Sequence, residues 1–308
     1  MILSILLLII GFVLLTRGAD FFVDGASSLA HKLKIPAIVI GLTVVAMGTS
    51  APEASISIMS ALKHSDSIAI GNVIGSNIAN IFLILGITAA IYPLTVQKNT
   101  LFFEMPFVGF ITLLLCWMGA RFGVISQSGA WVLLGLFVLF LMYLYVIAKK
   151  TPNQDLEIKP MGGLKIMLYL IGGMAMLVYG SNLTVNSAID IARAVGVSER
   201  VIGLTIIAFG TSVPELVTCV VAAIKKQSDL AIGNIIGSNI FNILFVLGIA
   251  GAISPIPFKQ AFLFDGAFAM LAVILLMIFS YKNKRLGRIA GIIFLILYAV
   301  YLIMLTRF

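Results

Sequence analysis

The sequence predicts an all-α polytopic membrane protein: ten transmembrane helices in two five-helix repeats of inverted topology, with helices broken at the bilayer midplane. Three observations carry this. First, 61% of the 308 residues are hydrophobic, only 10% are charged and mean hydropathy is +1.16, more apolar surface than a soluble chain of this length could bury. Second, apolar runs long enough to cross a bilayer fall at about 2–30, 36–61, 68–91, 101–120, 129–148, 163–191, 201–224, 230–253, 260–280 and 288–306. Third, Val39 to Thr43, Gly48-Thr-Ser-Ala-Pro-Glu53 and Gly71-Asn-Val-Ile-Gly-Ser-Asn77 return 162 residues later. The second copies are Val201 to Thr205, Gly210-Thr-Ser-Val-Pro-Glu215 and Gly233-Asn-Ile-Ile-Gly-Ser-Asn239.

The first run, Ile2 to Thr16, lacks a basic leader and a small-residue cleavage site, so it reads as part of the first membrane helix rather than a signal peptide. The stretch Lys149 to Gly162 holds two prolines and clustered charge and divides the halves. The expected organisation is therefore a repeat over 1–150, a cytoplasmic linker over 151–162 and a second repeat over 163–308. Five spans per repeat is an odd number, so the second copy enters the membrane from the opposite side. Thirteen lysines and arginines (Lys32, Lys34, Lys98, Lys149, Lys150, Lys159, Lys165, Lys225, Lys226, Lys282, Lys284, Arg285 and Arg288) share one side if both termini are extracellular. These loop residues set orientation in a cell membrane, and the net charge of +8 implies no nucleic-acid partner. No obligate protein partner is implied. Cys116 and Cys219 lie in apolar segments and read as packing residues; neither a disulfide framework nor a zinc site can be built from them. Arg17 is expected to pair locally with Asp20 or to snorkel.

The duplicated motifs place ionisable and polar groups where they are expensive, which marks them as functional. Proline removes an amide donor, so carbonyls near Ala46 to Thr49 and Ala208 to Thr211 are expected to lose partners. A kink repaired by Ser50 and Ser212 would account for the proline alone. It leaves unexplained the glutamate that follows in both copies, Glu53 and Glu215. Carboxylates beside free carbonyls are the hard oxygen ligands that Ca2+ and Na+ prefer. In the second motif Ser76 and Asn80 lie four apart on one helical face, as do Ser238 and Asn242. The neighbouring glycines read as sites of close helix approach.

These paired motifs resemble the two alpha-repeats of the cation/calcium exchanger superfamily, and most closely its prokaryotic sodium/calcium exchangers. The likeness spans the whole chain. It implies a Na+/Ca2+ antiporter working by alternating access, with no cofactor and no catalytic residues. Glu53 and Glu215 would hold Ca2+ with the carbonyls of Thr49 and Thr211. Ser50, Ser76, Ser212 and Ser238, with the carbonyls of Ala46 and Ala208, would serve flanking Na+ sites. Asn80 and Asn242 occupy the last polar position of each repeat. Relatives in the potassium-dependent branch carry aspartate where Asn242 stands, so its amide implies potassium independence. Three Na+ replacing one Ca2+ would make exchange electrogenic. The alternatives are an H+/Ca2+ exchanger and, more remotely, a cation channel. No His-Glu-x-x-His or Gly-x-Ser-x-Gly motif suggests an enzyme.

Overall fold

The computed structural model of the chain describes residues 2–63, 68–150, 161–196 and 208–305. The helices are α1 (Ile2–Leu33), α2 (Ala37–Thr49), α3 (Ala51–Leu62), α4 (Ile68–Ile91), α5 (Thr100–Phe122), α6 (Gln127–Lys150), α7 (Gly163–Ala194), α8 (Val213–Ile224), α9 (Ser228–Ile253), α10 (Ala261–Tyr281) and α11 (Arg288–Leu305). Eight are long and apolar enough to cross a membrane, and α2 with α3, bent by 53°, gives a ninth span among the described residues. The seventh expected span, 201–224, is described only from a helical turn at Ala208–Gly210 into α8. Most of the expected linker, 151–160, also lies outside the described residues.

Burial sorts the helices into layers. In their most apolar windows 72% of α4 and 83% of α9 are buried, against 22% of α1 and α7, so α4 and α9 form the centre and α1 and α7 a flank. At 32 residues each, α1 and α7 run about 48 Å, longer than a hydrocarbon core of ~30 Å. They touch backbone to backbone. A methyl on Gly18 would stand 2.9 Å from the Gly173 carbonyl oxygen, and one on Gly180 would stand 3.0 Å from that of Gly11. Such contact between antiparallel membrane helices depends on small residues.

Short strands tie the loops. β1 (Leu94–Thr95) pairs antiparallel with β4 (Arg285–Leu286), and β2 (Val124–Ile125) with β3 (Ile256–Pro257). The partners are Leu94 with Leu286 and Ile125 with Ile256. Adding the 162-residue offset to 94 gives 256, and adding it to 125, the partner of 256, gives 287, one residue past the partner of 94. The offset therefore carries one ladder into the other to within one residue of register.

The close approach expected at the motif glycines appears on α9. A methyl at Gly233 would lie 2.9 Å from the Ile38 carbonyl oxygen, and one at Gly237 would lie 2.7 Å from that of Leu42. The counterpart glycines on α4 have no such neighbour among the described residues: Gly71 meets only the Phe262 ring, at 3.5 Å, and Gly75 nothing within 4 Å. Residues 201–207, which correspond to the α2 stretch under α9, lie outside the described part.

The expected local partner of Asp20 is corrected. Its carboxylate lies 3.2 Å from Nζ of Lys225, at the end of α8, and Asp24 lies 2.7 Å from the same nitrogen. One turn of α1 presents both acids to one cation, a pairing across 205 residues that local spacing cannot reveal.

Candidate ion-binding site

Pro52 and Pro214 each occupy the second position of a new helix, where a missing N–H costs least. The residues before these helices, Ser50 (φ −83°, ψ 9°) and Ser212 (φ −89°, ψ 4°), leave helical geometry in the same way. Serine at this position ordinarily caps its own helix. Neither does so here. Ser50 Oγ instead donates to Oε1 of Glu215 at 2.9 Å, and Ser212 Oγ donates to Oε1 of Glu53 at 3.4 Å. Neither serine hydroxyl caps its own break; each serves the carboxylate of the opposite half. The Ala46 carbonyl accepts a helical bond from the Ser50 N–H at 3.0 Å and a longer one from Thr49 Oγ1 at 3.5 Å, so the proline does not strip it of partners.

Glu53 and Glu215, each 1% exposed, sit in the first turns of α3 and α8, whose N-terminal partial charge favours an anion. Among the described residues no lysine or arginine forms an ion pair with either. Each has a second oxygen, Oε2, that is buried and accepts no hydrogen bond. Buried carboxylate oxygens without partners are costly, and the cost is removed by a cation. No group of three or more His, Cys, Asp or Glu capable of holding a metal occurs among the described residues, so the acidic charge here is that of the two glutamates.

A ring of amides lies where α4 and α9 meet. Asn80 lies in a π-helical segment, Ala79–Leu85, and Asn242 opens another, Asn242–Val246. Such wide turns recur at functional sites. Asn80 Nδ2 donates to Asn239 Oδ1 at 2.9 Å, and Asn242 Nδ2 donates to Asn77 Oδ1 at 3.2 Å. The Oδ1 atoms of Asn80 and Asn242 are buried and unpartnered, as is Oγ of Ser238. Two further amides brace the carboxylate helices. Asn72 donates to the Glu53 carbonyl oxygen at 3.1 Å and to Ser57 Oγ at 3.0 Å. Its counterpart Asn234 accepts from Thr49 Oγ1 at 3.0 Å and donates to Cys219 Sγ at 3.3 Å. Cys219 is free and buried, consistent with its packing role.

Of the residues singled out in the sequence, Ala46, Thr49, Ser50, Glu53, Ser76, Asn80, Ser212, Glu215, Ser238 and Asn242 are buried, and Thr211 is half-buried. Ala208 opens the short turn before the second break. Sequence reasoning gave no role to Asn72, Asn77, Asn234 or Asn239. Their signal was available, since each stands in both copies of the duplicated motif.

The sodium/calcium exchanger protein family matches residues 3–146 and 165–307. The chain belongs to that family. It is 39% identical to the putative antiporter CaxA of Alkalimonas amylolytica, over 98% of both chains. It is 31% identical to the sodium/calcium exchanger MaX1 of Methanosarcina acetivorans, again over 98% of both. Its fold superposes on a solved structure of the sodium-calcium exchanger NCX_Mj with a TM-score of 0.85 at 34% identity, covering 99% of each chain. This exchanger family is one of membrane transporters, not enzymes, and the two motif copies of the present member supply two buried carboxylates and several buried, unpartnered amide and hydroxyl oxygens.

Proposed function

We propose that the chain is a secondary antiporter that exchanges Na+ for Ca2+ across the cell membrane by alternating access, electrogenically and without potassium. The observation that carries this reading is the pair of buried carboxylates, each with one unpartnered oxygen, together with the buried, unpartnered oxygens of Asn80, Asn242 and Ser238 in the same duplicated motifs. Glu53 and Glu215, with the Thr49 and Thr211 carbonyls, hold Ca2+. Ser50, Ser76, Ser212 and Ser238, with the Ala46 and Ala208 carbonyls, hold Na+, and Asn80 and Asn242 line the centre. Ten spans form two inverted repeats, 1–150 and 163–308, both termini are extracellular, and the breaks at Ser50 and Ser212 meet at the midplane. The two β ladders support this arrangement, since each joins loops that an inverted ten-span topology puts on the same side.

Two negative charges neutralise one Ca2+. Empty, the site would carry both uncompensated through a low-dielectric region, which makes unloaded switching unfavourable and exchange obligatory. Three Na+ leave one net positive charge. At zero voltage a tenfold Na+ gradient then balances a Ca2+ gradient of about 1,000-fold, against about 100-fold for two Na+. Calcium uptake into proteoliposomes under imposed Na+, K+ and H+ gradients, one at a time, tests the reading. Uptake should follow the Na+ gradient alone. Uptake driven by a pH gradient and indifferent to Na+ would instead identify an H+/Ca2+ exchanger, and flux with no counter-ion a channel.

A further inference from the structure

We propose that Asn77 and Asn239 are positioning residues that turn the amides of Asn242 and Asn80 so that oxygen, and not nitrogen, faces the ion. This rests on the exchanger reading and extends it to residues that touch no ion themselves. An asparagine amide has nearly the same shape either way round, so an amide lining a cation site needs something to choose its orientation. A cation next to NH2 is repelled; one next to Oδ1 is bound.

Backbone carbonyls make the choice here, because a carbonyl only accepts. Asn77 Nδ2 donates to the Asn239 carbonyl oxygen at 3.2 Å, and Asn239 Nδ2 donates to the Asn77 carbonyl oxygen at 3.3 Å. This reciprocal pair locks both amides with nitrogen toward the opposite backbone. Their Oδ1 atoms are then left as acceptors. Asn242 must present its NH2 to Asn77 Oδ1 (3.2 Å), and Asn80 must present its own to Asn239 Oδ1 (2.9 Å). What remains free on Asn80 and Asn242 is Oδ1, and both of these atoms are buried without a partner. Four hydrogen bonds thus convert the fixed polarity of two peptide groups into two ligand oxygens. The same bonds join α4 to α9 at the point where the repeats cross.

The arrangement makes a prediction that a merely structural role does not. An aspartate has oxygen at both ends, so it needs no orienting. The experiment measures half-saturating Ca2+ and Na+ concentrations for thermal stabilisation of the purified full-length protein, a readout that survives loss of turnover. In the Asn242 background, Asn77→Ala should raise the half-saturating concentration about tenfold or more. In the Asn242→Asp background the same change should shift it by less than about twofold, or lower it, because an Oδ1 facing a carboxylate has been removed. Asn80→Asp should not suppress Asn77→Ala, but it should suppress Asn239→Ala; this mate pair asks the same question if the alanine at 77 prevents folding. Equal fold-losses in all backgrounds, or no loss from either alanine, would overturn the orienting role. A wild-type protein that neither ion stabilises would overturn the exchanger reading instead.

Discussion

Ser50 and Ser212 show how one side chain is diverted from a local duty to a distant one. Each stands at a helix start yet leaves its own helix uncapped, and donates across the interface to the other half's glutamate. A hydrogen bond to a charged group contributes about 1.5–3 kcal/mol. Ser50→Ala should therefore weaken apparent Na+ affinity roughly tenfold or more while the protein still folds. Ser55→Ala, which removes an exposed hydroxyl bonded to the Ala51 carbonyl, should have no effect on exchange, and Na+ titrations of calcium uptake compare the two. A loss common to both variants would mean that the Ser50 hydroxyl matters only to helix stability. The glutamates were legible in the sequence because carboxylates recurring inside apolar runs have no bland explanation. The serine-to-glutamate crossing was not, since it joins residues 165 apart that meet only once the repeats are folded together. Amide orientation at Asn80 and Asn242 was equally hidden, because it is decided by a carbonyl on the facing helix.

Among the elements, α1 and α7 pack closely against each other. They pack through glycines at backbone distance, and the Phe21 and Tyr169 rings meet at a tilt of 53° with centroids 5.0 Å apart. At one end this pair is tied to the core by charge, where Asp20 and Asp24 hold Lys225. The corresponding positions 63, 182 and 186 are Lys63, Asn182 and Asn186, so the repeat offset does not reproduce the ion pair. If α1 and α7 slide together against α2, α4, α8 and α9, linking them to each other is harmless and linking them to the core is not. Cysteines at Phe21 and Tyr169, joined by a short bis-thiol reagent in a background lacking Cys116 and Cys219, should leave most calcium exchange intact. Joining cysteines at Asp24 and Lys225 should stop it, reversibly with a cleavable linker. Full activity of the second cross-linked protein would rule out sliding at this interface. Helix positions were largely legible from hydropathy: the fourth and fifth spans differ from expectation by two residues or fewer at each end. The π-helical turns were not, because they reflect how the amides and backbones of α4 and α9 fit around each other.

Over the whole molecule, the proposed pair of five-span repeats, offset by 162 residues, would put equivalent loops on opposite sides of the membrane. Cysteine at Lys63 should therefore react with an impermeant thiol reagent applied to intact cells, whereas cysteine at Lys225 should not until the membrane is opened. Equal labelling from outside would contradict the inverted arrangement. The neutral amide of Asn242 carries a further expectation, that calcium uptake is the same in potassium and in an inert monovalent cation. The claim on which everything else depends is that Glu53 and Glu215 supply the charge that carries Ca2+ against Na+. Its most direct test is calcium uptake into sodium-loaded proteoliposomes diluted into sodium-free medium, comparing wild type with Glu53→Gln and Glu215→Gln at matched incorporation. The wild-type protein should accumulate Ca2+ and cease when the sodium gradient is collapsed, and each glutamine variant should fall to the level of empty liposomes while remaining folded. Near-normal sodium-driven uptake by either variant would contradict the account.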